Sequence, residues 1–131
     1  MAAYQKPRRV LVVDDDPSMR RTLGRALSSI YEIVVLCCDG EVALEEIRRV
    51  CPDLVLLDLR MPVLDGWRVL EILEAEGCDV PVLLMSAESQ QLWPDSPLVR
   101  GCHSKTDGLD GLLATCERIL SEKDAASPGE R

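Results

Sequence analysis

The first thing this 131-residue chain lacks is a long hydrophobic run: none approaches the roughly 20 residues needed to cross a bilayer. Its N-terminus, MAAYQKPRR, has no long apolar segment behind the basic residues, so no secretory signal is expected and a cytoplasmic location is. A basic excess is also missing, since 15 Lys and Arg face 23 Asp and Glu for a formal net charge of -8. Phosphate backbones are bound by basic surfaces, so nucleic acid is not expected as a direct ligand. Histidine is reduced to His103, and none of the six cysteines (Cys37, Cys38, Cys51, Cys78, Cys102, Cys116) forms a C-x-x-C pair, which leaves no zinc-ligand spacing. Those cysteines read as reduced, buried thiols, with a redox role for adjacent Cys37 and Cys38 as the lesser alternative. Phenylalanine is absent altogether.

What is present fits one globular domain, with 47% hydrophobic and 29% charged residues. Four apolar runs, Val10–Val13, Ile33–Leu36, Leu54–Leu57 and Val80–Met85, are continuous instead of alternating, as in strands buried on both faces of a parallel sheet. Helical spacing marks Met19, Leu23, Ala26, Leu27 and Ile30, then Ala43, Leu44, Ile47 and Val50, then Val69, Leu70 and Leu73. A last helix is read from Leu109, Leu112, Leu113, Cys116, Ile119 and Leu120. Asp16 or Asp15 can cap the first helix ahead of Pro17, and Asp65 the third. Strands alternating with helices predict a doubly wound α/β fold. The SAESQQLWPDSPLVRGCHSKTDG segment breaks the alternation: Pro94 and Pro97 allow at most a turn or two of helix before Pro94, and a short polar fifth strand falls within Val99–Ser104. The expected organisation is a tail over 1–7, a domain over 8–121 and a disordered polar tail over 122–131.

RVLVVDDDPSM, residues 9–19, places three adjacent carboxylates at the end of a buried strand, where mutual repulsion adds to the cost of desolvation. In open parallel sheets function gathers at the carboxyl ends of the strands. There stand Asp14, Asp15 and Asp16 after the first strand, Asp58 after the third, Ser86 after the fourth and Lys105 after the fifth. A sheet of order 2-1-3-4-5 crowds Asp14, Asp15 and Asp58 together, with Ser86 and Lys105 on the far side of Asp58. A hard divalent cation such as Mg2+ offsets the repulsion of such a cluster. A carboxylate beside a cation, a hydroxyl and an ammonium suits phosphoryl transfer: Asp58 attacks, the cation and Lys105 neutralise oxygen charge, and Ser86 donates a hydrogen bond. Asp16 reads better as the helix cap.

At these residues, LVVDDDPSMRRTL, LVLLDLRMPVLDGWRVL and PVLLMSAES resemble a response-regulator receiver domain, the phosphoaccepting module of two-component signalling, over roughly Arg8 to Leu120. The resemblance implies a flavodoxin-like, five-stranded parallel sheet with its fourth helix shortened or missing. It matches Asp58 to the phosphoacceptor, Asp15 to the direct metal-ligating acid and Asp14 to the acid that holds metal through water. Arg60 would add its backbone carbonyl, Ser86 the switch hydroxyl and Lys105 the conserved-type lysine; Pro62 and Gly66 match the loop after the phosphoacceptor. It further implies Mg2+ as cofactor, a histidine kinase or phosphotransfer protein as donor and an unidentified downstream protein as target. The chain would then be a self-phosphorylating phosphoacceptor, able to lose the group again, and not a turnover enzyme.

Departures from the family fall on its output face. Thr106 stands where proline usually follows the lysine, so a trans Lys105–Thr106 bond is expected. Cys102 and His103 occupy the place of the usual switch aromatic, His103 reading as a strand-end surface residue. Trp93 is either a cover for sheet left bare by the missing helix or a partner contact. Arg60 and Glu88 are expected to flank the site entrance and pair across it. Remodelling of a common dimer face favours a monomer. Two other functions compete: a phosphorylation-independent receiver-like binding module, and a haloacid-dehalogenase-type phosphatase suggested by Asp14-x-Asp16-x-Ser18 but left without room for a cap. About ten polar residues follow Leu120, so the chain reads either as a regulator that acts by docking or as the front of a longer protein.

Overall fold

The computed structural model describes residues 8–86, 94–105 and 107–126. Five parallel strands, β1 (Arg9–Val13), β2 (Ile33–Cys37), β3 (Leu54–Asp58), β4 (Val82–Ser86) and β5 (Val99–Ser104), form one sheet in the order β2-β1-β3-β4-β5. The helices are α1 (Pro17–Ser28), α2 (Gly40–Val50), α3 (Gly66–Ala75) and α4 (Leu109–Ala126). This is the doubly wound architecture expected from the alternation of elements, in the flavodoxin-like form that the resemblance implies.

Strand periodicity builds two cores. Leu11, Val13, Val55, Leu57, Val82 and Leu84 point to one face, against Ala43, Leu44 and Ile47 of α2 and Val69, Leu70 and Leu73 of α3. Their neighbours Val10, Val12, Leu54, Leu56, Leu83 and Met85 point to the other, against Leu23 and Leu27 of α1 and Leu112, Cys116, Ile119 and Leu120 of α4. Both faces are covered, which is why these strands show unbroken apolar runs.

The helix starts follow the sequence signals. Asp16, Asp39 and Asp65 are the N-caps of α1, α2 and α3, each side chain accepting a backbone N–H of the first turn. Several boundaries differ. The fourth strand begins at Val82, because Val80 and Pro81 precede the ladder, although the Pro81 carbonyl still accepts from Val55 N–H. Ile30 is exposed beyond the end of α1, and Tyr31, whose N–H donates to the Leu27 carbonyl, takes the buried place. Of the cysteines only Cys37 and Cys116 are buried; Cys38, Cys51 and Cys102 are exposed.

Residues 122–126, expected to be disordered, extend α4. Long-range ion pairs hold this polar end: Arg8 with Asp124, and Lys123 with Asp53 at 3.2 Å. In the connection between β4 and β5, the described residues 94–98 are irregular or turn. The predicted turns before Pro94, Trp93 and the Lys105–Thr106 bond lie outside the described residues, as does Glu88.

Candidate functional site

β1 and β3 are hydrogen-bonded neighbours, so the acids that follow Val13 and Leu57 emerge side by side at the carboxyl edge of the sheet. Ligand oxygens of Asp14, Asp15 and Asp58 lie within 4.8 Å of one another. Asp14 is 0% exposed and Asp58 4%, whereas Asp15 is exposed. The loop that carries them is fixed at its backbone. Asp14 N–H donates to the Cys37 carbonyl at 3.1 Å. Asp16 N–H donates to Asp14 Oδ1 at 2.9 Å, while the Asp16 side chain caps α1.

Lys105, one residue past β5, reaches across the sheet edge. Its Nζ lies 2.8 Å from Asp14 Oδ2 and 3.1 Å from Asp58 Oδ2. The contact with Asp58 is a hydrogen bond; the buried Asp14 Oδ2 has the ion pair but accepts no hydrogen bond. Lys105 N–H donates to the Ser86 carbonyl at 2.7 Å, tying the end of β5 to that of β4. Ser86 itself is buried one position beyond Met85, the register partner of Asp58. On the far side, Arg60 N–H donates to Asp58 Oδ1 at 3.3 Å.

Burial pushes the Asp58 carboxyl up to about 6; the Lys105 ammonium opposes that rise and the Asp14 charge adds to it. Lys105 is held above its ordinary value: burial alone would lower it, but its close ion pairs with Asp14 and Asp58 outweigh that cost. Three clustered carboxylates against one ammonium leave the pocket negative. Hard oxygen donors at this separation fit a small divalent cation.

The loop after Asp58 is built around close approach. A Cβ on Gly66 would lie 2.7 Å from the Asp58 carbonyl oxygen and 2.8 Å from Leu59 Cα, so only glycine lets α3 start against the end of β3. Gly66 N–H donates to the Leu59 carbonyl at 3.0 Å. Val63, 75% exposed, sits at φ 70, with Leu64 N–H bonded to the Pro62 carbonyl at 2.7 Å: a γ-turn centred on a β-branched residue.

The predicted residues Asp14, Asp15, Asp58 and Lys105 therefore meet, and Ser86 and Arg60 border them. Two contacts were not anticipated. Lys105 pairs with Asp14 as well as Asp58, because its side chain reaches past the ends of β4 and β3 to the loop after β1. Arg20, six positions after Asp14 and one turn into α1, donates from its guanidinium to the Asp14 carbonyl at 2.7 Å. His103, expected at the surface, is half-buried in β5. The Arg60–Glu88 pairing cannot be placed among the described residues because Glu88 is not one of them.

Residues 10–94 match the family model for the response regulator receiver domain. The response regulator MprA of Mycolicibacterium vanbaalenii is 46% identical over 117 residues, covering 87% of this chain and 51% of its own. That of Mycobacterium leprae is 44% identical over 115 residues, 86% of this chain and 50% of its own, so the chain spans about half the length of either relative. The receiver domain of Francisella response regulator 1452 superposes with a TM-score of 0.76 at 25% identity, covering 90% of this chain and 99% of that one. The response regulator domain of Thermotoga maritima CheB shares the fold, with a TM-score of 0.76 at 24% identity over 88% of this chain and 98% of that one. By sequence model, relatives and fold together, the chain belongs to the response regulator receiver domain family.

Proposed function

We propose that this receiver accepts a phosphoryl group on Asp58, in a Mg2+-dependent reaction, from a histidine kinase or phosphotransfer protein, and relays the signal by contact with a downstream protein. The observation that carries the reading is the meeting of buried Asp58 with Asp14, Asp15 and Lys105 at one strand end. An oxygen of the Asp58 carboxylate forms the new bond to phosphorus as the P–N bond of a phosphohistidine breaks, the electron pair leaving with the imidazole. Lys105 Nζ, already 3.1 Å from Asp58 Oδ2, stabilises the charge on the phosphoryl oxygens, and the Ser86 hydroxyl donates to one of them. Asp14, Asp15, Asp58 and the Arg60 carbonyl would hold Mg2+, which supplies positive charge against the same oxygens.

A phosphorylation-independent docking module is the second reading, favoured by exposed Cys102 and half-buried His103 where a switch aromatic would stand. Intact mass after incubation with acetyl phosphate, with and without Mg2+, separates the two. One added phosphoryl group that requires both Mg2+ and Asp58, and is missing in Asp58→Asn, is the expected result. No adduct under conditions where Mg2+ binds and decay is slow would leave the docking module.

A further inference from the structure

The three acids of the site are not held alike. Asp58 has Lys105 and the Arg60 amide, and Asp14 has Lys105 and the Asp16 amide. Among the described residues, the exposed Asp15 carboxylate has no hydrogen bond or ion pair. Its direction therefore depends on the backbone that carries it. The peptide unit before Asp14 is fixed by the bond from Asp14 N–H to the Cys37 carbonyl on β2. The unit joining Asp14 to Asp15 is fixed through its carbonyl, and the donor there is the half-buried Arg20 guanidinium at 2.7 Å. Arg20 N–H also bonds the Asp16 carbonyl at 2.9 Å, so the same residue ties the acidic loop to the first turn of α1 by backbone and side chain.

We infer that Arg20 is a positioning residue for the cation site, aiming Asp15 through the Asp14 carbonyl without touching the cation. This rests on the metal reading above and goes beyond it. A charge-assisted bond to a carbonyl that orients a ligand is the kind of outer contact whose loss weakens metal affinity about 10–100-fold. Simple electrostatics predicts the opposite sign: a guanidinium beside an acidic pocket repels a cation, and its removal would tighten binding. The two roles are therefore separable by the direction of one change.

The test is calorimetric titration of the whole chain with MgCl2, for wild type, Arg20→Ala, Arg20→Gln and Arg20→Lys, with melting in EDTA to check that each is folded. Arg20→Ala and Arg20→Gln should weaken Mg2+ binding about tenfold, and Arg20→Lys, which keeps a donor of similar reach, should recover most of the loss. Should the alanine variant mis-fold, the glutamine and lysine pair carries the comparison. Unchanged or tighter binding in Arg20→Ala or Arg20→Gln, or weakening that lysine does not recover, overturns the inference while the metal reading stands. A wild type that binds no Mg2+ overturns both.

Discussion

β3 and β5 end at the same site yet are made differently. Every residue of β3, Leu54 to Asp58, is buried, and the strand lies between β1 and β4. β5 lies at the sheet edge, buries only Ser104 and carries Arg100, Gly101, Cys102 and His103 along its length. The difference follows from what each delivers. On the proposed phosphoryl transfer, a short aspartate that must meet the reacting atom needs a strand fixed from both faces and both sides. An ammonium on a four-carbon stem needs only a strand end within reach, so the edge strand is released from the hydrophobic rule. Lys105 hits both Asp14 and Asp58 from this polar strand, which is the contrast at its sharpest.

The comparison is open to attack at several levels. Truncating the central strand, Leu57→Ala, should cost about 3 kcal/mol, while Cys102→Ala on the edge should stay within about 0.5 kcal/mol. Urea denaturation measures both, and equal costs would break the comparison. Next in size, Lys105→Met should slow phosphoryl uptake from acetyl phosphate about 100-fold, the usual loss for a single charge-stabilising donor. Its binding of Mg2+ should tighten, since an internal cation leaves the acids; weaker binding would make Lys105 part of the site's scaffold.

Titration sharpens the contrast from another side. Burial at the end of β3 holds Asp58 at about 6, while Lys105 is raised from an ordinary value already far above neutral and stays charged. Below pH 6 a proton occupies Asp58 and competes with the cation; above it the carboxylate is free. Mg2+ affinity should thus be about tenfold weaker at pH 5 than at pH 8, one pH unit below the transition being one factor of ten. A flat profile in calorimetry would mean that Asp58 is not a ligand. The smallest effect tests where β3's rigidity stops. Val63→Gly, relieving a strained φ at an exposed position, should raise stability by about 1 kcal/mol. A loss instead would show that the Val63 side chain is needed where it stands.

How much of this could be read from the residues depended on how local the cause was. β1 and β3 were legible because burial on both faces writes itself as VLVV and LVLL, and the caps Asp16 and Asp65 were legible because a cap acts within three residues. The clustering of Asp14, Asp15 and Asp58 followed from strand order alone. The length of α4 did not, since its last turns are polar and are held by Arg8 and Asp53, 116 and 70 positions away. The pairing of Lys105 with Asp14 depends on side-chain reach across two strands, and Val63 takes a backbone angle that β-branched residues avoid. Neither leaves a mark in the sequence.

The bond between Arg8 and Asp124 has a consequence for the topology of the chain as a closed path. The beginning of β1 and the end of α4 meet at the amino edge of the sheet, the edge away from the acids, so the path from Arg8 to Asp124 returns close to its start. A short linker between them would complete the circle. The turn at Gly77, where a φ of 75 opens into empty space between α3 and β4, offers a place to cut it again. Such a circular permutant would begin near β4 and end with α3, and would still bring β1 beside β3: the site belongs to the arrangement of strands and not to the order in which they are synthesised.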